Sequence, residues 1–209
     1  MKPIYFFDEG DGKNKKLLGG KGAGLCEMTR IGLPVPPGFT ITTEVCDMYY
    51  QNNKKLPHNL MVQVRKNIVK IEKRTGKKFG SLENPLLVSV RSGAALSMPG
   101  MMDTILNSGQ TLSSVMAFIK ATGNEALAWD NYRRFIEMYG RTVFGIEDDE
   151  HGHVAGFKLI LDTLITERKK VNPAIKDQKD LTVKNNKELI EKYLKLIKEK
   201  GFEIRGLQE

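Results

Sequence analysis

Gly19-Gly20-Lys21-Gly22-Ala23-Gly24 is the stretch on which the fold turns. Its glycines surround a single lysine. Before it, Ile4 to Phe7 is a short apolar run closed by Asp8-Glu9-Gly10-Asp11-Gly12, which reads as a strand and a turn. After it, a helix is expected from about Ala23, with Leu25, Met28 and Ile31 on one face and Gly32 as its stop. Strand, glycine cluster and helix in that order let backbone N–H groups and a helix start meet a phosphate. A lysine in the cluster adds a point charge that reaches phosphate oxygens. No Gly-Lys-Ser/Thr follows a four-residue spacer, so this is not a Walker A loop, and the spacing of a dinucleotide fingerprint is also missing. A flexible turn with an exposed lysine fits the same residues equally well.

Working outward, Pro34, Pro36 and Pro37 force an extended crossing. Phe39 and Ile41 alternate with polar residues as a strand would. Thr43 suits the N-cap of a helix carrying Val45, Met48 and Tyr49. Pro57 suits the first turn of the next helix, with Leu60, Val64, Ile68 and Ile71 as its stripe and Thr75-Gly76-Lys77-Lys78 as its end. Leu86-Leu87-Val88-Ser89-Val90 reads as a buried strand running into Arg91-Ser92-Gly93. From Leu112 the pattern is helical. The marks are Val115, Phe118 and Ile119, then Leu127, Asn131, Phe135 and Tyr139, then Phe157, Leu161 and Leu164, and last Leu189, Tyr193 and Ile197, closed by Gly201. Residues 171–186 are polar, hold Pro173 and read as a loop or linker. The class is α/β (α+β). Residues 1–111 are expected to form an α/β lobe and residues 112–170 a helical subdomain. Residues 171–209 are a linker and final helix.

The 209 residues are 40% hydrophobic and 28% charged, which suffices for a packed core. A net charge of +8 favours anionic partners, but the acids interspersed after Glu167 read as solvated helix faces. No nucleic-acid motif is present and aromatics make up only 8%, so a basic nucleic-acid binder ranks last. Cys26 and Cys46 have no Cys or His beside them and sit in apolar helical patterns. Buried thiols in a reducing compartment are expected. No signal peptide and no run of roughly 18 apolar residues is present, so a cytoplasmic protein without membrane contact is expected. His58, His151 and His153 read as surface residues, and no metal site is assigned.

Two further segments can carry chemistry. Arg91 at a strand end, followed by Ser92 and small residues, can clamp a phosphate or make a structural ion pair. The stretch Leu96-Ser97-Met98-Pro99-Gly100-Met101-Met102-Asp103-Thr104-Ile105-Leu106-Asn107 places methionines around a Pro-Gly pair, with Asp103 and Thr104 adding oxygen groups. On a helix, Asp130 with Arg134 and Arg133 with Glu137 are spaced for surface ion pairs.

Taken together, these segments stop looking independent. Residues 19–25 and Gly32-Leu33-Pro34-Val35-Pro36-Pro37-Gly38-Phe39 resemble the opening of the pyruvate, phosphate dikinase and phosphoenolpyruvate synthase group. Val90-Arg91-Ser92 fits both branches, while the run from Ser97 to Asn107 resembles the dikinase branch. Tyr132-Arg133-Arg134-Phe135-Ile136-Glu137-Met138-Tyr139-Gly140 looks like that branch's helical insertion. The resemblance implies the first part of an ATP-grasp nucleotide-binding domain with a mainly helical inserted subdomain. It implies ATP and Mg2+ as cofactors, with the metal's ligands outside these residues. In such enzymes a phosphohistidine domain and a pyruvate/phosphoenolpyruvate domain are partners, and the parent is a homodimer. Lys21 and Arg91 are the implied catalytic phosphate binders. Gly19, Gly20, Gly22, Ser92, Gly100, Met101, Met102, Asp103 and Thr104 complete the implied nucleotide-binding set, with Arg134 as an outlying member. No histidine here stands in the family's Thr-Ser-His setting, so the chain is expected to be a fragment, inactive alone. A stand-alone nucleotide-binding or regulatory module remains the alternative.

Overall fold

The computed structural model describes residues 2–94, 103–148 and 156–204. The fold is mixed, with seven α-helices and two small sheets among the described residues. By packing it divides into two units, Met1–Phe79 with Arg91–Asp103, and Gly80–Val90 with Thr104–Glu209.

In the first unit, β1 (Ile4–Phe6) pairs antiparallel with β2 (Phe39–Ile41), Ile4 opposite Ile41 and Phe6 opposite Phe39. Alternation turns Ile4 and Phe6 inward. Ile4 packs with Val45 of α2 (Thr43–Gln51) and Leu60 of α3 (Leu60–Thr75). Phe6 lies under Arg74, whose guanidinium carbon is 4.2 Å from the ring centroid and which also pairs with Asp8 at 2.7 Å. Two helix starts differ from expectation. Thr42 is the cap residue of α2, and the Thr43 hydroxyl instead donates to the Lys16 carbonyl at 2.7 Å. Pro57 lies in a turn before α3, its carbonyl accepting from the Leu60 amide at 3.0 Å. Gly76 ends α3 in the left-handed conformation, φ 68°, as its position after the stripe predicts.

The long α1 (Lys15–Arg30) differs more. It contains the whole glycine cluster, broken at Gly19 (φ 68°, ψ 165°). Helix resumes directly after the break, before Ala23. Its buried face is Gly22, Ala23 and Cys26, whereas Met28 and Ile31 are exposed, Ile31 at 58%. Small residues let α1 approach β2 closely. A Cβ on Gly22 would lie 2.6 Å from the Thr40 hydroxyl oxygen. Cys26 is buried there as expected, and burial pushes its thiol pKa up. Cys46 is exposed, because the buried residue of α2 is Val45.

The strand β3 (Val88–Arg91) pairs with β4 (Thr104–Ser108) in a two-stranded sheet, of which β4 and β3 up to Val90 belong to the second unit and Arg91 to the first. The run expected to be a buried strand is largely exposed, Val90 at 53%, and only Leu86 before it is buried. A two-stranded ribbon has too few neighbours to cover both faces. The helices α4 (Leu112–Thr122), α5 (Glu125–Phe144), α6 (Phe157–Val171) and α7 (Val183–Glu199) share the main core, which Ile105 of β4 joins. Phe157, Leu161 and Leu164 on α6 and Leu189, Tyr193 and Ile197 on α7 are all buried, as their spacing predicts. On α5 the buried strip is rotated from the expected one. Leu127 is exposed, and Ala128, Tyr132, Arg133, Ile136 and Gly140 face inward with Phe135. Residues 171–186 hold a 3-10 turn at Gln178–Asp180 and the first turn of α7, with Ile175 and Leu181 in the core.

Arg133 lies at the centre of this unit, fully buried. It donates to Asp130 Oδ1 at 2.9 Å, Glu137 Oε2 at 3.2 Å, Gln178 Oε1 at 3.0 Å and Asn186 Oδ1 at 2.9 Å. Two carboxylates and two amides balance the desolvated guanidinium and join α5, the 3-10 turn and α7. The spacing predicts a surface pair between Arg133 and Glu137, but the pair is interior at the arginine end. Trp129 donates from its indole nitrogen to Glu125 Oε1 at 3.2 Å, and the Lys187 ammonium stands 4.6 Å from its ring centroid. No helix of the described residues is long and apolar enough to cross a membrane.

Candidate functional site

The kink at Gly19 begins the site. Its φ of +68° suits glycine, and the Ala94 carbonyl oxygen would be 3.4 Å from any added Cβ. The segment after Arg91 therefore runs close against the kink. The Gly20 amide donates to the Ala94 carbonyl at 2.8 Å. The Lys21 ammonium donates to the Ser92 carbonyl at 3.1 Å, across 71 positions of sequence. Two segments read separately as phosphate-binding candidates thus meet within the first unit.

Arg91 is the last residue of β3 and is exposed. Its guanidinium makes no hydrogen bond or ion pair among the described residues, so it is not the partner of a structural carboxylate there. Ser92 turns back on the chain. Its amide and its hydroxyl both donate to the Asp103 carbonyl, each at 3.0 Å. The Asp103 carbonyl is thus the part of that residue held at the site. Thr104 is the first residue of β4 and is half-buried.

The glycines of the cluster play different parts. Gly19 supplies the break and Gly20 an amide, while Gly22 is buried against Thr40 and acts in packing. Gly24 would have open space for a Cβ. Gly100, Met101 and Met102 lie outside the described residues. Arg134 is in the second unit, its Nε 2.8 Å from Asp130 Oδ2. Lys21, Arg91 and Ser92 are local readings of sequence. The Ala94 and Asp103 carbonyls that tie them together are backbone groups, which no motif spacing reveals.

The chemistry available here is that of an anion site. It has the Lys21 ammonium on the Ser92 carbonyl, the exposed Arg91 one residue before that serine and a glycine break that opens a helix end, and among the described residues no carboxylate pairs with either cation. Among the described residues no group of three or more His, Cys, Asp or Glu side chains could hold a metal ion. Two hollows lie elsewhere. One of about 190 Å³ is bordered by Phe6, Arg74 and Pro36, and a shallow one runs along Val183 to Glu191 of α7. Neither is lined by Lys21 or Arg91.

Comparison with known proteins bears on the same residues. Residues 15–63 match the family model described as pyruvate phosphate dikinase, AMP/ATP-binding domain. The chain is 50% identical over 199 residues to a pyruvate, phosphate dikinase of Entamoeba histolytica, covering 95% of this chain and 21% of the relative. It is 45% identical over 198 residues to the enzyme of that name from Clostridium symbiosum, again 95% of this chain and 21% of the relative. A third, from Rhizobium meliloti, is 49% identical over 152 residues, 71% of this chain and 17% of the relative. The chain spans about a fifth of the length of these curated relatives.

Proposed function

For a chain that belongs to the pyruvate, phosphate dikinase family and matches the N-terminal part of its members, we propose that the first unit holds the polyphosphate of ATP. The observation that carries this is the meeting of Lys21 with the segment after Arg91, 3.1 Å from ammonium to Ser92 carbonyl. Lys21 and Arg91 bring two positive charges to the segments that meet at the glycine break. Such a pair offsets the charge of a triphosphate, and its electrostatic stabilisation is the main service a protein gives phosphoryl transfer. Arg91 offers a planar fork of donors to phosphate oxygens, and Lys21 a point charge. The helix resuming after Gly19 adds the positive end of its dipole.

The fold behind this reading is the first part of an ATP-grasp domain with a mainly helical inserted subdomain. The finer role is the one that the resemblance to the dikinase family implies. ATP, pyruvate and phosphate would be interconverted with AMP, phosphoenolpyruvate and diphosphate by a longer protein, through a phosphohistidine domain and a pyruvate domain. Mg2+ would accompany the nucleotide, held by carboxylates other than a cluster in the described residues. This chain's own share is binding and charge compensation.

Calorimetric titration of Mg-ATP tests the reading. We expect saturable binding, weakened about 10-fold or more by Arg91→Ala, since a charge-assisted contact to phosphate contributes about 1.5–3 kcal/mol. Binding that survives Arg91→Ala and Lys21→Met unchanged would remove these residues from the site. Silence both in this chain and in one extended to the length of its relatives would end the nucleotide reading.

A further inference from the structure

We propose that Ser92 is a positioning residue of the nucleotide site, acting through Lys21 and Asp103 rather than by touching the ligand. This deepens the nucleotide-binding reading and rests on it. Three contacts converge on this one residue. Its amide and its hydroxyl both donate to the Asp103 carbonyl at 3.0 Å, and its own carbonyl receives the Lys21 ammonium at 3.1 Å.

The hydroxyl has a single hydrogen to donate, and it is directed at the Asp103 carbonyl. That leaves it without a donor for a phosphate oxygen, which it would meet lone pair to lone pair. A turn serine that merely closed the chain on itself would need the Asp103 contact alone. Here the same peptide also orients its carbonyl toward Lys21. Fixing Ser92 to Asp103 therefore fixes the acceptor on which the ammonium rests. The neighbouring Gly20–Ala94 bond at 2.8 Å holds the backbone beside it in the same register. Lys21 is long and exposed, and its stem would otherwise sample many rotamers. A tethered ammonium meets an incoming polyphosphate already aimed, so less ordering entropy is lost on binding.

The expected effects separate positioning from direct contact. In nucleotide-free protein, side-chain NMR of Lys21 should show inequivalent ε-methylene protons. The two should merge in Ser92→Ala and stay distinct in Ser92→Thr, which keeps the hydroxyl. In Mg-ATP titrations Ser92→Ala should lose about 10-fold in affinity, the size of one hydrogen bond's net contribution, and Ser92→Thr should restore it. In a Lys21→Met background the same serine substitution should change affinity less than about 2-fold, because neighbours acting through one another are non-additive. A full loss from Ser92→Ala in the Lys21→Met background would make Ser92 a direct ligand and overturn the proposal. Unchanged Lys21 signals in Ser92→Ala would overturn it equally. Absence of ATP binding by wild type, alone and in the extended chain, would sink the nucleotide reading instead, and the Lys21 signals would then judge the Ser92 tether by themselves.

Discussion

At the scale of the residue, Arg133 is a fully buried charge whose partners come from three elements. It is buried among Asp130, Glu137, Gln178 and Asn186, so its removal leaves the buried Asn186 and half-buried Gln178 amides without their donor and takes from Asp130 and Glu137 a buried partner, leaving them the more exposed Arg134 and Arg141. Arg133→Ala should cost about 3–5 kcal/mol in urea unfolding. Arg133→Lys should recover little of this, because an ammonium cannot reproduce the planar fork that reaches three structural elements. A loss below about 1 kcal/mol would mean the network is dispensable. Tyr132, one residue earlier, gives a pH signature. Burial pushes its phenol from 10.0 up to about 12. Between these values the unfolded chain gives up the proton and the folded chain keeps it, so folding stability falls as pH rises. The contribution is intact below pH 10 and is lost through about pH 12, worth roughly 2–3 kcal/mol in all. Tyr132→Phe should flatten that part of the alkaline stability curve relative to wild type, and parallel curves would refute the assignment.

At the scale of the element, α1 carries the sharpest contrast. Gly22→Ala would push a methyl to 2.6 Å from the Thr40 hydroxyl oxygen and 2.7 Å from its methyl carbon, while Gly24→Ala meets nothing within 4 Å. The first should cost about 1–3 kcal/mol through overpacking. The second should stabilise by about 0.5–1 kcal/mol through helix propensity. Thermal melts of the two variants should therefore shift in opposite directions, and shifts of the same sign would sink this division of the cluster. The same helix shows what sequence could not tell. A hydrophobic count favours Leu25, Met28 and Ile31 as the inward face, but close approach to a sheet rewards Gly22, Ala23 and Cys26. On α5 the buried Arg133 interrupts the apolar stripe, so apolar spacing alone points to Leu127, which is exposed. Helices α6 and α7 were legible because large aliphatics fill one face and charges the other. For the site, Lys21, Arg91 and Ser92 were legible as local chemistry. Their meeting depends on backbone carbonyls at Ala94 and Asp103, which carry no side-chain signal.

At the scale of the whole molecule, the two units differ in how their apolar surface is organised. The second has one continuous core spanning α4 to α7, including Ile136, Phe157, Leu164, Leu189 and Tyr193. The first has smaller separate clusters, around Ile4, Val45 and Leu60 and around Leu18, Ala23 and Cys26. Amides of α5 and α7 should therefore be the slowest to exchange with deuterium, and those of α2 among the fastest helical ones. Equal protection of α2 and α7 would contradict this ranking. Trp129 is the chain's single tryptophan and belongs to the helical unit. Its indole is bonded to Glu125 and faced by Lys187, so its fluorescence is a gauge of α5 and α7. An unfolding curve followed by that emission reports directly on the packing of α5 against α7. A tryptophan introduced at exposed Tyr50 would give the first unit a reporter of its own.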